Sequence, residues 1–208
     1  MMNSLDRLME LGAGVPWAAL LDDAARVLAR GGVVAYPSET VWGLAALPDA
    51  AEALFVAKGR DGGKPVQASF VSLAFARAFV QPDAAFDVLA SFLPGPLTLV
   101  TGAAAGCPAS LAPGGQVGVR VPDHPVALAL LERAGGVLAT TSCNPSGQVA
   151  ALTEAQARAM GLADLVLPDA GVRALGLPST VLDVPGRRVV REGAVPSAAL
   201  LAALSGGA

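Results

Sequence analysis

The sequence predicts an α/β domain in which a mixed, twisted sheet is covered by helices. Strand-like and helix-like segments alternate along the chain, with some hairpin-like steps. Several polar segments lie just past predicted strand ends, which is where open α/β sheets bind ligands. The 208 residues suit one domain of generous size. We therefore predict an N-terminal extension over residues 1–16 and a single domain over 17–208.

The first half of the chain is predicted to contain one strong helix followed by shorter elements. Residues 17–30 are amphipathic at helical spacing, Pro16 favours the first turn, and two glycines follow the helix. Asp49 is the predicted N-cap of a second helix that ends near Lys58. The other elements predicted here are strands over 33–36 and 66–72 and helices over 73–80 and 83–92.

The second half is predicted to contain more strands than helices. Thr153, with Gln156 three residues later, is typical of a capping box at a helix start, and Ser197 is the predicted cap of the last helix. Residues 102–115 are rich in Gly, Pro and Ala and predict a loop. The remaining predictions are a helix over 125–134 and strands over 97–101, 117–121, 137–141, 165–167, 180–184 and 188–191.

Composition excludes several kinds of chemistry. One His and two Cys cannot build a disulfide framework, a four-cysteine zinc site or a His-rich metal cluster, so no metal-ligating residue is predicted. Nucleophilic triads and dyads would all depend on His124, which is better interpreted as a cap or turn residue. Cys143 is interpreted as a buried residue at a strand end. A net charge of −3 argues against a broad nucleic-acid-binding face.

The sequence also indicates the cellular location of the protein. No uncharged apolar run free of Gly and Pro approaches the ~18 residues of a membrane span. The N-terminus has no basic start followed by a long apolar core, so it does not resemble a signal peptide. We expect a cytoplasmic protein without membrane attachment.

The only two lysines of the chain, Lys58 and Lys64, lie on either side of Arg60. A compact ammonium retained in an Arg-biased chain suits contact with phosphate or carboxylate. The alternative is a cationic helix end, favoured by the helix dipole, that leads into a solvated loop. Composition alone favours the alternative.

A hydroxyl and an amide follow another predicted strand, at Ser142 and Asn144. These groups could bind a ribose, a phosphate or a base, although an Asn-Pro turn is equally consistent with the pattern. No phosphate-binding loop of the GxxxxGK[ST] type occurs. Nucleotide binding would therefore need an unrelated device.

Two arginines and a serine complete the candidate site. Arg120 ends an apolar strand, where burial is costly without an anionic partner, and an exposed strand end is the alternative. Arg191 could instead form a surface pair with Glu192, and Ser179 could be a simple turn residue. Together, several cations and many hydroxyls without an acid/base pair predict an anionic ligand, bound for catalysis by positioning and charge stabilisation.

The order of short motifs along the chain resembles the YrdC-like family over roughly residues 17–204. Each motif is weak alone, but seven in the family's order are specific. The motifs are PSETVWGL at 37–44, KGRDGGKP at 58–65, PGPLTLV at 94–100, VGVRVPDHP at 117–125, TTSCNPSG at 140–147, PSTVLD at 178–183 and VVREG at 189–193.

The resemblance implies a fold and an activity. The family fold is an open twisted sheet, mixed or antiparallel in most pairs, with flanking helices and a large concave, cationic cavity. The implied reaction converts L-threonine, bicarbonate and ATP, accompanied by Mg²⁺, into L-threonylcarbamoyladenylate and pyrophosphate. Separate threonylcarbamoyl transferase proteins would then modify tRNA, so tRNA is an indirect partner.

Family roles carry over to residues of this sequence. Lys58 and Arg60 match the catalytic pair that faces the ATP phosphates. The further positions that match ATP contacts are Gln116, Ser142, Asn144 and Arg191. The positions that match the threonine pocket are Ser38, Lys64, Arg120, Thr140 and Ser179, with Arg120 at the carboxylate.

The sequence departs from the family pattern in places. Ser38 replaces the usual Thr, Trp42 the usual Tyr, and Asp61 the usual Pro. YciO-type relatives share an Asp at that point but do not keep the Ser-x-Asn pair well, so Ser142 and Asn144 favour the synthase. The alternatives are a YciO-type paralogue and an RNA-binding module without synthase activity. A carbamoyl-adenylate enzyme is less consistent, because the segments that accompany such domains are missing.

Overall fold

The computed structural model describes residues 4–11, 14–59 and 66–206. Its helices are α1 (Ser4–Leu11), α2 (Trp17–Ala29), α3 (Glu52–Ala57), α4 (Leu73–Ala76), α5 (Ala84–Leu89), α6 (Pro125–Arg133), α7 (Glu154–Met160) and α8 (Ser197–Gly206). Its strands are β1 (Val34–Tyr36), β2 (Gly43–Ala46), β3 (Gln67–Phe70), β4 (Leu97–Gly102), β5 (Gln116–Arg120), β6 (Val137–Ser142), β7 (Leu165–Val166), β8 (Thr180–Asp183) and β9 (Arg188–Arg191).

All these strands join one sheet, in the order β7-β1-β2-β6-β3-β5-β4-β8-β9. The pairs β1–β7, β3–β5 and β4–β8 are parallel, and the other pairs are antiparallel. The outer strands β7 and β9 do not pair with each other, so the sheet is open. The predicted α/β class with a mixed, open sheet is confirmed.

The first face of the sheet is apolar along its whole width. Alternate strand residues such as Leu44, Phe70 and Leu99 are fully buried in the larger of two core clusters. Leu54 of α3, Phe86 of α5 and other helical side chains pack against them. Alternation at period two places the opposite set of side chains on the second face.

The second face is covered by helices only in part. Val34 of β1, Ala45 of β2 and Leu138 of β6 are buried there in the smaller core cluster, against α2 and α6. The helix α1 adds Leu8, which is fully buried in the same cluster. The predicted N-terminal extension thus contains a helix that is packed on the domain.

Several predicted elements differ in detail. Strand β2 was not predicted, because Gly-Leu-Ala-Ala carries no β-branched or aromatic signal. Asp49 is not the N-cap of α3, because a 3₁₀ turn over Pro48–Ala50 precedes that helix and Ala51 occupies its N-cap position. The helices predicted over 73–80 and 83–92 are each a short α-helix continued by a 3₁₀ turn.

Two helix starts follow from identifiable contacts. Thr153 Oγ1 accepts from the backbone N–H of Gln156, as the capping box predicts, although Gln156 Oε1 accepts from Leu152 rather than from Thr153. Ser197 is the first residue of α8, and Glu192 Oε1 accepts its backbone N–H. Across the described part of the chain, every helix falls short of the length and apolarity needed to traverse a bilayer.

Candidate functional site

A cavity of about 610 Å³ occupies the uncovered part of the second sheet face. Its floor is formed by strand side chains that alternate with the buried core, among them Tyr36, Gln67, Thr98, Arg120 and Thr140. Along β1 and β6 the same face changes from apolar to polar within two residues, from Val34 to Tyr36 and from Leu138 to Thr140. The apolar half carries the helices, and the polar half is left open as the cavity.

A glycine allows β1 and β2 to form this floor. Gly43 pairs with Tyr36 across the two strands, and a Cβ at Gly43 would lie 2.7 Å from the Tyr36 ring. The ring can therefore lie flat over the neighbouring strand. Burial raises the pKa of Tyr36, whose hydroxyl interacts with Ser69 and Thr140, so this floor group is neutral at physiological pH.

Arg120 is held at the end of β5 by the 38–40 loop. Its Nη2 donates to Thr40 Oγ1 at 2.6 Å and to Glu39 Oε1 at 2.9 Å, with Ser38 Oγ at 3.4 Å. The side chain of Arg120 is 7% exposed and that of Glu39 is 12% exposed, so the ion pair is largely buried. Among the described residues, neither Arg120 Nε nor Glu39 Oε2 has a hydrogen-bond partner.

Lys58 follows α3 and clamps the loop that comes after β6. Its Nζ donates to the carbonyl oxygens of Ser142 at 2.6 Å and Asn144 at 2.7 Å, and to Asn144 Oδ1 at 3.0 Å. Its own carbonyl accepts from the backbone N–H of Ser146 at 3.1 Å. An ammonium has three protons to donate. A phosphate contact by Lys58 would therefore have to share or displace one of these bonds.

Asn144 completes the order of the same loop. Its Oδ1 accepts from Ser142 Oγ at 2.5 Å, while its Nδ2 donates to the carbonyl oxygens of Pro145 at 2.9 Å and Gln148 at 2.7 Å. Asn144 is 9% exposed, and both it and Ser142 line the cavity. The Ser-x-Asn motif thus shapes the cavity wall through hydrogen bonds within the protein.

Arg191 lies on β9 at the opposite side of the cavity. Its Nη2 donates to the carbonyl oxygen of Ser179 at 2.7 Å and to Ser179 Oγ at 3.2 Å. Partial burial lowers the pKa of Arg191, and the positive charge of Arg120 lowers it further. The two guanidinium groups therefore repel each other across the cavity, and an anion between them would relieve the repulsion.

Every predicted site residue that the structure describes lines this one cavity. These residues are Ser38, Lys58, Gln116, Arg120, Thr140, Ser142, Asn144, Ser179 and Arg191, with Gln116 exposed at the edge. The predictions for Arg60 and Lys64, and the departure at Asp61, lie outside the described residues.

Sequence reasoning missed several polar side chains of the floor. Tyr36, Gln67 and Thr98 all line the cavity. Each is a polar or amphipathic residue on a short apolar strand, where alternation at period two could have flagged it. The partnership of Glu39 with Arg120 left no signal in the sequence.

The two residues considered for covalent chemistry lie elsewhere. His124 is buried at the start of α6, where its Nδ1 accepts from the backbone N–H of Val126 at 3.2 Å, so the capping interpretation is confirmed. Burial lowers the pKa of His124 to about 4. Cys143 is also buried, and burial raises its pKa to about 11, which leaves the thiol protonated.

The charge of the cavity indicates which kinds of ligand it suits. Its described lining contains three cations, Lys58, Arg120 and Arg191, and no carboxylate. Within the described ranges, the side chains also form no group of three or more potential His, Cys, Asp or Glu ligands for a metal ion. A cavity with this lining suits phosphate or carboxylate groups. The fold and site are those of an α/β protein with a cationic cavity on an open sheet.

Comparison with known proteins gives the family. The family model for the Sua5, YciO and YrdC proteins, described as "Telomere recombination", matches residues 26–193. The chain belongs to this family.

Curated relatives share one name. A threonylcarbamoyl-AMP synthase of Thiobacillus denitrificans is 37% identical over 171 residues, which cover 79% of this chain and 90% of the relative. A threonylcarbamoyl-AMP synthase of Alkalilimnicola ehrlichii is 39% identical over 183 residues, which cover 81% of this chain and 92% of the relative. These matches extend over nearly the full length of both relatives.

Solved structures share the fold. The crystal structure of P. abyssi Sua5 complexed with L-threonine matches with a TM-score of 0.80 at 30% identity, over 88% of this chain and 56% of Sua5. The present chain thus spans little more than half of the Sua5 chain. E. coli YciO matches with a TM-score of 0.76 at 24% identity, over 86% of this chain and 91% of YciO, and supports the fold alone.

Proposed function

We propose that the protein is a threonylcarbamoyl-AMP synthase, a nucleotidyltransferase that forms L-threonylcarbamoyladenylate and pyrophosphate from L-threonine, bicarbonate and ATP. The observation that carries the proposal is the cavity with three cations and no carboxylate in its described lining. The curated relatives that bear this name and the threonine complex of Sua5 support the same activity. At the coarser level, the protein is an enzyme of the transferase type.

The reaction forms two bonds, first a C–N bond and then a P–O bond. The threonine amine adds to bicarbonate and releases water, which gives an N-carboxylate. One oxygen of that carboxylate then attacks the α-phosphorus of ATP, and pyrophosphate leaves with the bonding electrons. The described lining of the cavity provides no carboxylate or histidine as an acid or base. The task we assign to the described lining is orientation and charge stabilisation.

The site residues have distinct tasks in this proposal. Arg120, fixed through Nη2, presents its remaining N–H groups to the threonine carboxylate, with Ser38, Thr140, Ser179 and Lys64 around the amino acid. Arg191 meets the nucleotide from the other side. The loop of Ser142 and Asn144, held by Lys58, forms the adenylate wall with Gln116. Arg60 is proposed to stabilise charge on the phosphates together with Lys58.

Mg²⁺ enters the proposal as part of the MgATP substrate. Mg²⁺ is commonly held by phosphate oxygens and water with only one or two carboxylates from the protein. The cavity fits this mode, because its described lining supplies cations for the phosphates and no carboxylate cage. In addition to MgATP, we propose downstream threonylcarbamoyl transferase proteins as partners, tRNA as an indirect partner and the cytoplasm as the location.

Pyrophosphate release tests the activity. The wild-type protein with MgATP and bicarbonate should release pyrophosphate only when L-threonine is present. Arg120→Ala should lower kcat/KM for threonine about 100-fold, because it removes a charged contact in a site of low dielectric. Arg133→Ala is the matched control, since that arginine is exposed and paired with Asp22 on the surface. Pyrophosphate release that does not depend on threonine contradicts the proposal.

A further inference from the structure

A series of side-chain hydrogen bonds crosses the cavity floor and includes Gln67 and Thr98, to which the proposed function assigns no task. Arg191 Nη2 lies 3.2 Å from Ser179 Oγ, which lies 2.9 Å from Thr98 Oγ1. Thr98 Oγ1 in turn donates to Gln67 Oε1 at 3.1 Å. The chain therefore links β9, the segment before β8, β4 and β3.

The donor inventory gives this chain one direction. A guanidinium can only donate, so Ser179 Oγ accepts from Arg191. Since Thr98 gives its single proton to Gln67 Oε1, the serine proton goes to Thr98 Oγ1. The amide oxygen of Gln67 thus fixes the orientation of both hydroxyls. Ser179 and Thr98 are each 2% exposed, so water cannot readily replace either partner.

This chain of hydrogen bonds opposes the repulsion between Arg191 and Arg120. Arg191 reaches the cavity through Ser179, and Arg120 carries the same charge on the far side. Coulomb repulsion between like charges favours outward conformations of Arg191, which an anchor on the cavity floor opposes. The anchor here is the carbonyl oxygen of Ser179 and a hydroxyl whose direction Thr98 sets.

We infer that Gln67 and Thr98 are positioning residues, which orient Ser179 and thereby hold Arg191 inward for an anionic ligand. The identification of that ligand as MgATP rests on the proposed function. Neither residue has to touch the reacting atoms. Their effect is on the affinity for the nucleotide rather than on the chemical step.

Substitutions at Thr98 provide the test, with Thr101 as the matched position. Thr101 lies on the same strand and is equally buried, but it does not line the cavity. Thr98→Val keeps the size and removes the hydroxyl. It should raise the Kd for a nonhydrolysable MgATP analogue, measured by calorimetry, about tenfold, because one buried hydrogen-bonded partner is lost. Thr98→Ser should stay within about twofold of the wild type, as should Thr101→Val.

A second variant and a ligand-free readout complete the experiment. Gln67→Leu removes the terminal acceptor and should weaken binding in the same direction as Thr98→Val. In the absence of any ligand, the guanidinium NMR signal of Arg191 should be sharp in the wild type and broadened in Thr98→Val and Gln67→Leu. Signals are assigned with Arg191→Lys.

The outcomes separate this inference from the proposed function. A wild-type protein that does not bind the nucleotide overturns the proposed function, while the Arg191 signal still reports on the positioning. Equal Kd values for Thr98→Val and Thr101→Val overturn the inference, and so does a Thr98→Ser variant as weak as Thr98→Val. An Arg191 signal that is unchanged in both Thr98→Val and Gln67→Leu overturns the inference as well.

Discussion

The buried Arg120 forms an ion pair within the fold and keeps an N–H group that could bind a ligand. The sequence flagged it as costly to bury without an anion, and the structure supplies Glu39 from 81 positions away. No local pattern connects two residues at that separation, so the partner could not have been predicted. One oxygen of Glu39 and the Nε of Arg120 have no partner among the described residues. In the absence of a ligand, the hydrogen-bonding capacity of this ion pair is therefore not fully used by the described residues.

Glu39→Gln should make the protein depend on its ligand for stability. Loss of the compensating charge leaves a buried guanidinium and should lower the free energy of unfolding by about 3 kcal/mol. The carboxylate of bound threonine would replace that charge. The increase in Tm on adding threonine should then be larger in Glu39→Gln than in the wild type.

Thermal unfolding with and without threonine measures this difference. Asp22→Asn, which breaks the exposed pair with Arg133, is the control and should respond like the wild type. An equal or smaller threonine response in Glu39→Gln would show that Glu39 does not compensate Arg120.

His124 makes stability depend on pH. Burial lowers its pKa from 6.5 to about 4, although Asp169 acts in the opposite direction. Between those values the unfolded chain takes up a proton that the folded protein does not bind. Stability therefore falls by about 3 kcal/mol as the pH drops from about 6.5 to about 4, and it is fully present above pH 6.5.

His124→Asn isolates this contribution. Asparagine can also accept the backbone N–H of Val126 at the start of α6 but does not titrate. Urea unfolding of both proteins across pH 4–7.5 should show the wild type losing more stability than the variant below about pH 6.5. Parallel profiles for the two proteins would contradict this assignment.

At the scale of elements, the loop after β6 owes its shape to Lys58. The family resemblance predicts that Lys58 faces phosphates, and in the structure its Nζ donates to three acceptors of the Ser142–Asn144 segment. Spacing along the chain does not reveal this, because α3 and β6 meet only in the folded sheet. The ammonium also brings positive charge to the cavity wall. Lys58 therefore makes two separate contributions: it orders the loop after β6, and it adds positive charge to the cavity wall.

Lys58→Met should loosen the loop even without ligand. Three charge-assisted bonds are lost, so the amides of Ser146 and Gln148 should exchange hydrogen at least about tenfold faster. The amides of β5 serve as internal reference, and Arg133→Met as the control for loss of a cation. Unchanged exchange in the ligand-free variant, together with lost binding of tripolyphosphate, would assign Lys58 to the phosphates alone.

Elements were predictable where local signals were strong. Helix α2 has an amphipathic pattern, a preceding proline and following glycines, and its bounds were predicted within one residue. Strand β2 has no such pattern and exists because β1 and β6 pair with it on both sides. The N-cap expected at Asp49 failed because Pro48 starts a 3₁₀ turn instead. Tertiary pairing and proline placement decided these cases.

At the scale of the whole molecule, charge is separated between surface and site. The net charge is −3, yet the described cavity lining carries Lys58, Arg120 and Arg191 without a carboxylate. The fold class was predictable from the alternation of elements, and the family's motif order identified cavity residues on β5, β6 and β9. Strand order was not predictable, because β6 inserts between β2 and β3 and joins distant parts of the chain.

This distribution predicts discrimination between small anions and nucleic acid. Tripolyphosphate should compete with MgATP, and this competition should weaken as ionic strength rises. tRNA should show no gel shift at about 0.15 M salt, because an acidic surface cannot neutralise many phosphates. A basic RNA-binding protein provides the positive control. A salt-sensitive tRNA shift without any response to MgATP would favour the RNA-binding alternative.

The position of β9 at one end of the sheet has a consequence for biosynthesis. Arg191 of β9 completes a cavity lining to which β1–β6 and β8 also contribute, so the full lining exists only after that end strand has joined. We therefore expect the apolar first face, rather than ligand binding, to drive the earlier stages of sheet assembly.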